Sequence, residues 1–204
     1  IMCSASYASD HSNELVYGGS DHALYAICTD QFLLAGDDKC GQLSSFLKPK
    51  KLYSKQYGHH DWVTGVAYTL DGSIVSGGMD GLVCFWSKDK RRCNTVAHHS
   101  RSISGVYNVP NHNVVLTSSY DCSVAVWDTS RTFHGSGDGD NLRSRTSVAR
   151  ANTESPILDL RGHKSPIIDV TASASTVASG GKDGGLLIWD LCSGQQLARV
   201  RGHD

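Results

Sequence analysis

Between residues 63 and 97 the chain alternates short apolar runs with polar breaks. Val63–Thr69, Ser73–Ser76, Leu82–Trp86 and Arg92–Ala97 are rich in β-branched and aromatic residues, the composition of a half-buried strand. Asp71-Gly72 and Asp80-Gly81 fall between runs, where a tight hairpin needs residues that tolerate positive φ. The pattern predicts four successive short strands. No useful length of chain carries helical spacing, so an all-β protein is expected. One such sheet cannot bury both of its faces alone, and stacking sheets radially is the way to cover them.

The pattern repeats. Gly58-His59 leads to Ser76-Gly77-Gly78-Met79-Asp80 and then Val83-Cys84-Phe85-Trp86. His98-His99 leads to Thr117-Ser118-Ser119-Tyr120-Asp121 and Val124-Ala125-Val126-Trp127-Asp128. Gly162-His163 leads to Ser179-Gly180-Gly181-Lys182-Asp183 and Leu186-Leu187-Ile188-Trp189-Asp190. In each copy the aspartate stands six residues before the tryptophan and the Ser or Thr ten before it. Phe46, after Phe32-Leu33-Leu34-Ala35-Gly36, marks an eroded fourth copy. Phe46 to Trp86 is 40 residues, Trp86 to Trp127 is 41 and Trp127 to Trp189 is 62. The first two match one four-stranded blade of roughly 40–45 residues; the third implies an insertion of about 21. This spacing resembles the WD-repeat family, whose GH and WD dipeptides bracket each repeat, and the resemblance covers nearly the whole chain.

The resemblance implies a β-propeller of four-stranded antiparallel blades, with about four to five blades present and the ring incomplete. The expected divisions are a partial blade at residues 1–19, with Leu15-Val16-Tyr17 as a strand, and a degenerate blade at 20–57. Blades follow at 58–97, 98–161 and 162–201, and residues 202–204 open a further repeat. The degenerate blade has no preceding Gly-His, and its Asp37-Asp38 lie eight to nine residues before Phe46. The chain starts at Ile1 and stops on Gly202-His203-Asp204, so both ends read as cut.

Each good repeat holds a histidine, an aspartate and a hydroxyl residue, the ingredients of nucleophilic catalysis. The set recurs three times, whereas an active site is made once, and no G-x-S-x-G elbow is present to expose a serine. No catalytic residue is assigned. In the family these residues form a relay inside the blade, from the tight-turn aspartate through histidine and hydroxyl to the indole N–H. Here the sets are Asp80, His59, Ser76 and Trp86; Asp121, His99, Thr117 and Trp127; Asp183, His163, Ser179 and Trp189. In the same family the narrow top face binds partners through residues just after the GH dipeptide and just before the tight-turn aspartate. The matching positions are Trp62, Thr64 and Met79; Arg101, Ser102 and Tyr120; Lys164, Pro166 and Lys182. Trp62 has a second reading, partly buried against the neighbouring blade.

Residues 131–155 are polar and rich in Gly, Ser, Asp, Arg and Asn, the mark of a long loop joining the two outer strands of one blade. Gly135-Ser136-Gly137-Asp138-Gly139 has neither the lysine nor the helix of a phosphate loop. Asp138-Gly139-Asp140-Asn141 lacks the glycine and distal glutamate of a calcium loop. Arg143-Ser144-Arg145-Thr146-Ser147 is open to phosphorylation or to an acidic partner, against a plain solvated tether. His59-His60 and His98-His99 are adjacent on extended chain, so the two rings of each pair point apart and do not share a metal. No metal or cofactor is expected.

Charge narrows the partners. Lysine and arginine number 19 against 20 acidic residues, a net charge of −1, which disfavours a generic polyphosphate or membrane binder. No run approaches the roughly 18 apolar residues of a membrane span, and no signal segment opens the chain. Seven cysteines without a C-x-x-C pair read as reduced thiols in an intracellular protein, cytoplasmic or nuclear. The expectation is a non-enzymatic scaffold binding protein or peptide partners in a multiprotein complex. An RNA- or nucleoprotein-associated propeller using a local basic rim is the alternative, as is the regulatory propeller of a larger enzyme such as a protein kinase.

Overall fold

The computed structural model describes residues 1–9, 12–30, 48–52, 58–90, 93–131 and 155–202. They form four antiparallel sheets of four strands, each built from strands consecutive in sequence. Blade one holds β1 (Cys3–Ser9), β2 (Ser12–Gly18), β3 (Leu24–Cys28) and β4 (Lys50–Leu52). Blade two holds β5 (Val63–Tyr68), β6 (Ile74–Gly78), β7 (Leu82–Trp86) and β8 (Cys93–Ala97). Blade three holds β9 (Ile103–Asn108), β10 (Val114–Ser119), β11 (Ser123–Asp128) and β12 (Leu158–Arg161). Blade four holds β13 (Ile167–Ala172), β14 (Thr176–Gly181), β15 (Gly185–Asp190) and β16 (Gln196–Arg201). A 3-10 turn follows β11 at Thr129–Arg131.

Residues 3–52 make one sheet, so the boundary expected at residue 19 falls inside a blade. The reason lies in the β2–β3 turn. His22 has φ 67°, and Gly81, Cys122 and Gly184 hold φ 75°, 71° and 73° at the corresponding place in the later blades. Asp21 is therefore the tight-turn aspartate of blade one, and Ile27, six residues on, occupies the tryptophan position. Phe32–Gly36, Asp37-Asp38 and Phe46 lie outside the described residues; of the segment 20–57 expected as a blade of its own, Leu24–Cys28 and Lys50–Leu52 are the two outer strands of blade one. Likewise residues 132–154 lie outside the described residues, between the two outer strands β11 and β12.

The innermost strands β1, β5, β9 and β13 pack against one another in sequence order, and each seam between blades is an apolar core. Val16, Leu24, Ala26 and Leu52 meet Ile74, Cys84 and Trp86. Val75, Val83, Phe85 and Val96 meet Ile103, Val115, Ala125 and Trp127. Val124, Val126 and Leu160 meet Ile167, Val177, Leu187 and Trp189. Each tryptophan thus lies on the face its blade turns towards the blade before it. Full burial of one such large side chain stabilises by about 1.5–3 kcal/mol. The blades also approach closely: a Cβ on Gly77 would lie 2.5 Å from Ile103 Cγ2, so the second seam has no room for a side chain there.

The array is not closed. Ile168, Leu186 and Val200 of blade four are 47%, 36% and 47% exposed, on the face corresponding to the one that blade two buries against blade three.

Candidate functional site

The tight turns β2–β3, β6–β7, β10–β11 and β14–β15, and the segments entering β5, β9 and β13, share one end of the sheets, the top. Beneath it run the polar relays. In blade two the Asp80 carboxylate lies 3.1 Å from His59 Nδ1, His59 Nε2 lies 2.9 Å from Ser76 Oγ, and Trp86 Nε1 donates to the same oxygen at 2.9 Å. Blade three repeats this with Asp121, His99, Thr117 and Trp127 at 3.1, 2.8 and 2.9 Å. An Nδ1–H donated to the carboxylate leaves Nε2 to accept from the hydroxyl, so each relay has one consistent direction of donation.

The aspartates do more than orient imidazole. Asp80 also accepts from the backbone N–H of His60 and of Leu82, at 2.8 and 3.0 Å. Asp121 accepts from the N–H of Ser100 and of Ser123, and from Ser123 Oγ at 2.6 Å. Burial pushes the Asp121 carboxyl up, but donation from Ser123 and the charge of His99 outweigh it and hold it down at about 2. Burial lowers the pKa of His99, partly offset by Asp121, which favours the neutral ring the relay needs.

Blade four departs from the expected relay. His163 Nε2 lies 2.8 Å from Ser179 Oγ, and Trp189 Nε1 donates to that oxygen at 2.9 Å. Asp183, however, makes no hydrogen bond to His163: its Oδ1 accepts from the Gly185 N–H at 3.2 Å and its Oδ2 is 3.8 Å from Arg199. Its side chain is 35% exposed, against 7% for Asp121, so Arg199 and water compete for the carboxylate. Blade one has no relay. Its tight-turn Asp21 accepts from Tyr25 Oη at 2.5 Å and pairs with Lys51 at 3.4 Å, and Tyr25 stacks on Tyr17. The aligned decapeptides Gly18–Ile27 and Gly77–Trp86, both Gly-Gly-x-Asp at their start, carry the signal that would have located it.

Ser76, Thr117 and Ser179 are fully buried, and each hydroxyl oxygen already accepts an indole N–H. A nucleophile needs a path to substrate, and full burial leaves these three hydroxyls none.

The top-face positions are paired by backbone bonds that recur from blade to blade. Met79 N donates to Trp62 O at 2.8 Å, Tyr120 N to Ser102 O at 2.9 Å and Lys182 N to Pro166 O at 2.8 Å. Trp62, Met79 and Tyr120 are 43%, 42% and 44% exposed. Arg101, Lys164 and Lys182 are exposed as well. Thr64 and Ser102 serve the seam instead: Thr64 Oγ1 donates to Ile103 O at 2.6 Å, and Ser102 Oγ to Met79 O at 3.1 Å. A Cβ on Gly81 would lie 2.7 Å from His99 O, so the loop entering blade three sits directly on the tight turn of blade two.

The histidine pairs divide as extended chain requires. His59 and His99 point into their relays, His60 is exposed, and His98 Nε2 sits 3.9 Å from Asp159. No group of three or more His, Cys, Asp or Glu among the described residues is arranged to hold a metal ion. No helix among them is long and apolar enough to cross a membrane.

A family profile described as WD domain, G-beta repeat matches residues 50–87, 90–128 and 154–190, over half of the chain. Mitochondrial division protein 1 of Neosartorya fischeri is 27% identical over 169 residues, covering 75% of this chain and 25% of that protein. The Ribosome biogenesis protein WDR12 homolog of Chlamydomonas reinhardtii is 32% identical over 159 residues, 71% of this chain and 32% of its own. Telomerase protein component 1 of Mus musculus is 28% identical over 195 residues, 79% of this chain and 7% of its own. The chain thus spans a third or less of each of these relatives. Among solved structures, the computationally designed Ika8 protein superposes with a TM-score of 0.66 at 21% identity, over 97% of this chain and 48% of that one, a likeness of fold.

Proposed function

The chain belongs to the WD-repeat family, and from that premise we propose that it is a non-enzymatic scaffold that binds protein or peptide partners through the top face and edge of its blades. The observation that carries the reading is the exposed trio Trp62, Met79 and Tyr120 on a hydrogen-bonded top face. Tryptophan, tyrosine and arginine dominate interface energetics, and side chains held on a rigid backbone lose little freedom on binding. The buried Ser–His–Asp sets supply rigidity, not chemistry. The intracellular setting, cytoplasmic or nuclear, and membership of a multiprotein complex belong to the same proposal.

A nucleoprotein setting is the second reading. It is favoured by Arg101, Lys164 and Lys182, which have no ion-pair partner among the described residues, and by relatives named for ribosome biogenesis and telomerase. The test is affinity capture of the full-length protein from its own cells, beside the same protein with Trp62→Ala and Tyr120→Ala. A set of partners lost in the variant supports the scaffold reading; an unchanged set contradicts it. Nuclease treatment of the capture separates the second reading from the first.

A further inference from the structure

We propose that the occupant of the top face is an acidic peptide segment with bulky apolar side chains, lying across blades two to four. This rests on the binding-platform reading and adds the partner's chemistry. The argument starts from an imbalance of charge. Asp80 and Asp121 are turned inward, their oxygens taken up by imidazole and backbone N–H groups. Asp61 accepts from the Trp62 N–H, and Asp183 is held by Gly185 and Arg199. Arg101, Lys164 and Lys182 are exposed, and among the described residues no carboxylate lies within ion-pair reach of them. A chain of net charge −1 therefore presents a positive top over blades three and four.

The apolar half of the face lies beside it. Met79 N donates to Trp62 O, Ser102 Oγ to Met79 O and Tyr120 N to Ser102 O. Trp62, Met79 and Tyr120 are thus linked across the second seam by one set of hydrogen bonds, the crossing one donated by the Ser102 hydroxyl. Arg101 stands next to Ser102 within that set; on blade four Lys182 occupies the place of Tyr120, and Lys164 directly follows His163. A ligand that fits both halves carries apolar anchors on one side and carboxylates on the other.

Single-stranded nucleic acid also offers negative charge and rings that stack. Three unpaired cations would release few counterions, giving a salt slope of only about −2 for single strands, and Met79 gives no aromatic plane to a base. The face suits a peptide better.

The test is selection of displayed random peptides on the purified protein, followed by affinity measurement of a synthetic consensus peptide. The expected consensus contains at least one Trp, Phe or Leu and at least two acidic residues. Its affinity should fall about tenfold or more with Trp62→Ala, and again with the combined Arg101→Glu, Lys164→Glu and Lys182→Glu variant. Thermal melting shows that both variants are folded. A consensus without acidic residues, or one indifferent to charge reversal but lost with Trp62→Ala, overturns the acidic class and leaves the platform standing. No enrichment overturns the proposal too, as does binding of a poly(U) oligonucleotide that the charge reversal abolishes. A consensus peptide unaffected by both variants overturns the platform reading along with it.

Discussion

His163 and Asp183 are not hydrogen-bonded, although the same two positions are joined at 3.1 Å in each of the two preceding blades. The aspartate of blade four turns to Gly185 and Arg199 and stays partly in water. The worth of a relay aspartate therefore differs between blades. Asp121→Ala removes a group that satisfies His99, Ser123 and two backbone N–H donors, and should lower stability by about 1–3 kcal/mol. Asp183→Ala, at an exposed carboxylate, should cost clearly less. Urea denaturation of the two variants measures the difference; equal losses would mean that blade four has a complete relay in solution.

Ser76 is the junction of its relay, with His59 Nε2 and Trp86 Nε1 both 2.9 Å from its hydroxyl oxygen. Ser76→Ala leaves both buried nitrogens unsatisfied and should lower the unfolding free energy by about 1–3 kcal/mol. Ser76→Thr, the hydroxyl that blade three uses, should retain most of it. A folded Ser76→Ala protein that had lost a hydrolase activity would make the relay catalytic.

Acid should weaken the fold in two stages. Burial depresses the pKa of His99 and of His163 below the ordinary 6.5, so the unfolded chain takes up these protons first. Their contribution is intact above about pH 6.5 and is lost as pH falls below it. The Asp121 carboxyl lies at about 2 against an ordinary 3.8. Its contribution is complete above about pH 4–5 and disappears as pH falls towards 2. Denaturation midpoints should be flat near pH 7–8, decline from about pH 6.5 and fall further below about pH 4. A rise in stability between pH 7 and 5.5 would contradict the neutral, buried state of these histidines.

The open face of blade four makes a prediction about association. Ile168, Leu186 and Val200 form an apolar surface of the kind that the inner seams bury. The 204-residue polypeptide alone should self-associate, and Leu186→Glu with Val200→Lys should reduce it. Light scattering decides this; a stable monomer would show that the open face is covered in solution.

The three later blades were legible because each keeps an aspartate at fixed distance from a buried tryptophan, and one buried indole needs one hydrogen-bond partner. Blade one was not, because Ile27 needs no partner and Tyr17 replaces the hydroxyl residue, so the relay spacing vanishes. Only the tight turn persists, and His22 at φ 67° disguises it where two later blades use glycine. The Phe46 register rests on the period and on the apolar run Phe32–Gly36, neither of which carries the tight-turn aspartate that marks a blade. On the top face, exposure followed from position in the repeat. The use of Thr64 and Ser102 as bonds across the seam did not, because it depends on where the neighbouring blade's carbonyls fall.

In the proposed function rigidity and recognition reside in different residues, so the two should separate by mutation. The direct measurement compares melting temperature and partner capture for two variants of the full-length protein: Trp62→Ala with Tyr120→Ala, and Ser76→Ala. The top-face pair should keep the melting temperature and lose the partner. Ser76→Ala should melt earlier and, below its transition, still hold the partner. The opposite pattern, with capture surviving the top-face pair and lost in folded Ser76→Ala, would contradict the division of labour proposed for this face and the relays beneath it.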